Sequence, residues 1–78
     1  MKITIYSSPG FPAYDELKQY LQDLELQFEE IDVSCDDLAW ENMVRKSQQI
    51  SVPVVEIDDQ ILIGFDRFRL EKLLEPNL

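Results

Sequence analysis

Apolar side chains alternate with polar ones in Lys2-Ile3-Thr4-Ile5-Tyr6. That is the two-residue period of a strand, and β-branched residues reinforce it. The spacing then changes to steps of three and four at Leu17, Tyr20, Leu21 and Leu24, one apolar face of a helix. Pro9, Gly10 and Pro12 break the chain between the two patterns. Pro12 pushes Phe11 out of the α region and suits a first helical position. Asp15 and Glu16 follow, where carboxylates complement the helix dipole. A helix is predicted from Pro12 to Leu24.

Phe28 to Val33 reads as a second strand. Ser34, with Asp37 three residues on, resembles a capping box. It predicts a second helix running to about Ser47, with Ala39, Trp40, Met43 and Val44 turned inward. Val52 to Ile57 holds a third strand beginning after Pro53, Asp58-Asp59-Gln60 turns the chain, and Ile61-Leu62-Ile63 returns as a short fourth. Gly64 ends it. Asp66 can cap a last helix, with Phe65 and Leu70 as its hydrophobic staple, Leu70, Leu73 and Leu74 as its buried face, and Pro76 as its stop. The order β-α-β-α-β-β-α makes this an α/β protein. Its first two strands should be parallel through a right-handed crossover, and its last two an antiparallel hairpin. A four-stranded mixed sheet with helices on both faces is the expected packing.

Seventy-eight residues form one small domain, 1–78. Sixteen acids against seven bases leave a net charge of −9. Such a surface repels nucleic-acid backbones and anionic lipid, so neither is an expected partner. No apolar run approaches the ~20 residues that cross a bilayer. Met1 to Ile5 is too short and too alternating for a signal peptide, so a cytoplasmic protein is expected. One cysteine and no histidine exclude an internal disulfide, a zinc site built on Cys and His, and histidine acid–base chemistry.

Four segments then carry a resemblance: Lys2 to Pro9, Phe28 to Ser34, Ser51-Val52-Pro53-Val54, and Gly64-Phe65-Asp66. In this order and spacing the chain resembles the glutaredoxins, small redox proteins of the thioredoxin fold. The family reads Y-S-T-P-x-C-P-x-C at the first segment, and T-V-P and G-F-D at the last two. The resemblance implies strand order 2-1-3-4 and a cis peptide before Pro53. It also implies a binding surface in which Val52 offers main-chain groups to an extended peptide or glutathione, with Gln49 close by. Gly64, Phe65 and Asp66 would meet the γ-glutamyl end of glutathione, and Arg67 and Arg69 would add positive charge near them.

The departure lies at the two cysteines. Pro12 keeps the alignment, yet the sequence reads Phe11-Pro12-Ala13-Tyr14. In the family a thiolate at a helix N-terminus attacks a disulfide, and a second thiol one turn on resolves the adduct. Phe11 has no nucleophile, and a phenol such as Tyr14 ionises near pH 10. No catalytic residue is therefore assigned, and thiol–disulfide exchange is not expected. Cys35, placed in the first turn of the second helix, has Asp32, Asp36 and Asp37 around it in sequence to oppose a thiolate. Ser7 and Ser8 stand where the family often has a lysine, and Ile50 where it often has an arginine. Phe11 fills the space of the glutathione sulfur, so no cofactor is assigned. Phe11 with Pro9, Pro12, Val52 and Phe65 would instead form an apolar patch of the kind that marks interaction sites. The leading expectation is a redox-inactive module that binds a protein partner there. The alternatives are a thiol enzyme working through Cys35 or a partner's cysteine, and a structural domain that serves only homo-oligomerisation, such as a homodimer, or a larger complex.

Overall fold

The computed structural model describes residues 1–8 and 10–75. The strand break ascribed to Pro9 and the helix stop ascribed to Pro76 lie outside the described residues. The chain forms β1 (Ile3–Ser7), α1 (Pro12–Asp23), β2 (Glu29–Asp32), α2 (Asp37–Ser47), β3 (Val54–Ile57), β4 (Gln60–Ile63) and α3 (Arg67–Leu74). The sheet is ordered β2-β1-β3-β4. β1 runs parallel to β2 and antiparallel to β3, and β3 antiparallel to β4. Both the expected element order and the expected sheet are present.

Strand alternation divides the core in two. Ile3, Ile5, Val55, Ile57 and Leu62 point to one face, where they pack with Leu17 and Leu21 of α1 and Leu70 and Leu74 of α3. Tyr6 and Val54 point to the other, with Val33 and with Ala39 and Met43 of α2. Burying one such aliphatic side chain is worth about 1.5–3 kcal/mol. The apolar face predicted for α1 is the one used: Leu17 and Leu21 are fully buried, and Tyr20 and Leu24 are partly buried against the same cluster. One ion pair ties α2 to its face of the sheet. Lys46 Nζ donates to Glu56 Oε1 at 3.0 Å and to the Tyr6 hydroxyl at 3.1 Å. These bonds raise the Lys46 pKa above its ordinary 10.5, Tyr6 contributing most.

Two expectations for α2 need correction. Its N-cap is Asp36, not Ser34: Asp36 Oδ1 accepts from the N–H groups of Leu38 and Ala39 at 3.0 and 3.1 Å. Ser34 is engaged elsewhere, giving both its N–H and its hydroxyl to Asp32 Oδ1 at 2.9 and 2.5 Å. Trp40 is not core but 38% exposed. The buried stripe follows Ala39 and Met43, and Trp40 stands about 100° round the helix from Ala39. At its other end α2 closes on Gln48 in the left-handed region, φ 57°, with its N–H donated to the Val44 carbonyl at 2.7 Å. The Asp66 cap of α3 is present, accepting from Arg69 N–H at 3.2 Å, and Phe65 packs on the cluster that contains Leu70.

The two candidate caps separate by mutation. Asp36→Ala should lower unfolding free energy by about 1 kcal/mol, whereas Ser34→Ala should stay within about 0.5 kcal/mol of the parent. Urea denaturation followed by circular dichroism reads both, and the reverse ranking would restore Ser34 as the cap.

Candidate functional site

The sheet register gathers four strand ends and two helix heads at one end of the sheet. Tyr6 of β1 lies between Ile31 and Val54, Ser7 lies beside Asp32, and Val54 lies beside Ile63. The C-terminal ends of β1, β2 and β4, the start of β3 and the heads of α1 and α3 therefore meet. Gly10 makes the turn into α1 with φ +95°, a left-handed value that favours glycine. Phe11 then adopts the extended backbone its following proline demands, φ −90° and ψ 123°, and occupies the N-cap without a side-chain bond to the helix. Its carbonyl accepts from Tyr14 N–H at 3.0 Å and from Asp15 N–H at 3.3 Å. The Phe11 residue is 45% exposed; Pro12 is exposed beside it and Ala13 half-buried.

Tyr14 is half-buried on the α1 core cluster, and its hydroxyl donates to Glu30 Oε1 on β2. Lys18, one turn along α1, bonds the same oxygen at 3.1 Å and stands 5.7 Å over the Tyr14 ring. Desolvation first, then the bond to Glu30, pushes the Tyr14 pKa up to about 12. Tyr14 and Lys18 hold Glu30 below its ordinary 4.5, the tyrosine bond contributing most. A groove of about 210 Å³ runs alongside, lined by Ser7, Ser8, Tyr14, Glu30, Ile31 and Asp32. Asp32 is held below its ordinary 3.8 by the hydroxyl and N–H of Ser34, with a smaller part from the Cys35 thiol. Cys35 is exposed. It precedes the Asp36 cap and so lies outside α2, not in its first turn as the sequence suggested.

Across the site the Val52–Pro53 bond is cis. Pro53 is buried and Val52 half-buried. The Pro53 carbonyl accepts from Gly64 N–H at 2.7 Å, which fixes the end of β4 against the start of β3. Among the described residues neither main-chain group of Val52 takes a hydrogen bond. Ser51 differs: Gln49 accepts from its N–H through Oε1 and donates to its carbonyl through Nε2 at 3.0 Å. Gln49 is thus occupied in shaping the loop. Gly64 has φ +74°. Phe65 turns to the core, its ring 5.8 Å from that of Tyr20. Asp66 spends its carboxylate on the α3 cap. Arg67 stands 5.4 Å over Tyr20 and pairs with Glu71 at 3.4 Å, while Arg69 lines a groove beside β4. Sequence reading missed Glu30 and Lys18. The signal for Lys18 was its i+4 spacing from Tyr14; Glu30 had none, since it arrives by strand register.

A family model for glutaredoxin matches residues 3–62. The chain belongs to the glutaredoxin family. Among curated relatives it is 37% identical over 73 residues to an uncharacterized glutaredoxin-like 8.6 kDa protein in the rubredoxin operon of Clostridium pasteurianum, covering 94% of this chain and 97% of that one. Among solved structures, the thioredoxin-like protein BC3987 superposes with a TM-score of 0.87 at 32% identity, covering 94% of this chain and all (100%) of that one. The glutaredoxin-like NrdH-redoxin of Escherichia coli superposes at 0.81 with 26% identity, covering 94% and 95%. This glutaredoxin-like chain carries Phe11 and Tyr14 where the family motif has its cysteine pair, and its one cysteine is Cys35.

The Tyr14–Glu30 contact sets a pH window. Its contribution to stability is whole between pH 4.5 and 10. It is lost as pH falls through the lowered Glu30 value, and as pH rises from 10 to about 12. Ultraviolet titration of the tyrosines should show Tyr14 ionising last, and Glu30→Gln should move that step towards 10. An unshifted titration in that variant would mean that the two groups do not interact.

Proposed function

We propose that this glutaredoxin-like chain is redox-silent and binds an extended segment of a protein partner through Phe11, Pro12 and Val52–Pro53. The observation that carries the proposal is the exposure of Phe11. This residue stands 45% exposed at the head of α1, where neither the helix cap nor the core uses its side chain. Aromatic anchors of this kind dominate the energetics of protein interfaces. The unbonded main chain of Val52 supports the same reading, since a strand-like segment can pair with it.

Electrostatics argue against glutathione. The tripeptide brings two carboxylates, and the groove beside α1 presents ionised Glu30 and Asp32. Lys18 is already committed to Glu30, and Arg67 to Glu71. Cys35 offers no substitute for the pair: it is the one cysteine of the sequence, so no second thiol can resolve an adduct formed on it. The acidic surface, net charge −9, matches a partner that is basic around its docking segment.

In a thiol-transfer assay with glutathione and a small disulfide, the protein should run at the uncatalysed rate, with or without Cys35→Ser. Phe11→Cys combined with Tyr14→Cys should gain measurable exchange. Activity in the parent protein would end the redox-silent reading, and a folded but inert double variant would end the assignment of those two positions.

Calorimetry with reduced glutathione should give no binding heat at millimolar concentration. Proteins retained by the parent from native extract should be lost by Phe11→Ala. Equal retention by the two would remove Phe11 from the binding surface.

A further inference from the structure

β4 stands at the outer edge of the sheet, beyond β3. Its register shows which of its main-chain groups are already used. Gly64 N–H donates to the Pro53 carbonyl, and this pair continues the register of Val54 with Ile63, Val55 with Leu62 and Ile57 with Gln60. Hydrogen-bonded and non-bonded pairs alternate along an antiparallel ladder. Leu62 and Gln60 therefore exchange their bonds with β3, and the N–H and C=O groups of Ile61 and Ile63 face the open edge.

The two edges of the sheet differ in chemistry. β2 carries exposed Glu29, Glu30 and Asp32, charges that discourage the addition of another strand. β4 reads Gln60-Ile61-Leu62-Ile63 without a charge, and Ile63 is 49% exposed. Beside β4 a groove of about 160 Å³ is lined by Gln60, Ile61, Leu62, Arg69, Lys72 and Leu73. It holds two cations and no carboxylate. Among the described residues neither Arg69 nor Lys72 joins an ion pair, and Lys72 lies 5.1 Å over the Phe68 ring. In a chain of net charge −9 this is a local reversal of sign.

We propose that β4 receives, as a fifth strand, an extended segment of a partner protein whose sequence reads apolar–acidic–apolar. The order follows from the pleat. Leu62 points to the face that carries α1 and α3. A partner residue opposite Leu62 points the same way, and a carboxylate there comes within reach of Arg69 and Lys72. Its two neighbours point to the other face, beside Ile61 and Ile63, where apolar side chains are favoured. Main-chain bonds to Ile61 and Ile63 would supply affinity, and the cationic groove would select the acid. The surface shares no residue with the one proposed around Phe11 and Val52.

The test uses a blocked peptide containing Thr-Val-Glu-Val-Thr, titrated into the isotope-labelled protein and followed by amide resonances. The Ile61 and Ile63 amides should shift and their hydrogen exchange should slow. Replacing the peptide glutamate by lysine, or combining Arg69→Glu with Lys72→Glu in the protein, should weaken binding about tenfold. The amide spectrum itself reports whether the variant is folded, and Phe11→Ala should leave the affinity unchanged. Unmoved Ile61 and Ile63 amides would overturn the proposal, as would equal affinity for the two peptides. So would amides protected before any peptide is added: protection that fades on dilution would assign the edge to a second copy, and protection that persists would assign it to the chain itself.

Discussion

β1 is enclosed along its whole length. All five of its residues are buried, polar Thr4 and Ser7 included, and it is paired on both edges by β2 and β3. A strand buried on both faces must satisfy its backbone within the sheet, which fixes its register against both neighbours. Everything near the candidate site is placed from that register. Tyr6 opposite Val54 sets where the chain leaves Pro53, and Ser7 beside Asp32 sets where β2 hands over to the Ser34–Asp36 turn. The head of α1 follows a few residues beyond Ser7, so Phe11 is positioned by a strand it does not belong to.

The elements were legible in the sequence because local pattern and long-range packing agree. The Leu17–Leu21 spacing, the Pro12 helix start and the Asp66 cap read the same in both. The misreadings came where two local solutions compete. Ser34 and Asp36 are both good caps, and the choice was decided by Asp32, which captures Ser34 and leaves Asp36 for the helix. Moving the cap also moved Cys35 out of α2. Helical periodicity showed which side of α2 is apolar but not where the buried stripe ends, and Trp40 falls at its margin. The Tyr14–Glu30 contact could not be read, because it joins residues sixteen apart in sequence across separate elements.

Phe11 and Tyr14, in place of the family cysteines, set the electrostatics of this helix head. At this helix head a thiolate would be an anion drawn towards backbone N–H groups. In this chain the same positions hold an apolar ring and a phenol that stays protonated to about pH 12. The carboxylates beside this helix head lie on β2, where Glu30 is held by Tyr14 and Lys18 and Asp32 by Ser34. Tyr14 thus acts as a strut between α1 and the edge strand.

Gln49 has a thermodynamic consequence. By bonding both the N–H and the C=O of Ser51, its side-chain amide stands in for a neighbouring strand just ahead of Val52. Fixing a residue's backbone costs about 1–2 kcal/mol of conformational entropy. Here that ordering is complete once the chain has folded. A segment docking at Val52, as proposed, would find Ser51 beside it already bonded, and would bring to the encounter chiefly the loss of its own freedom.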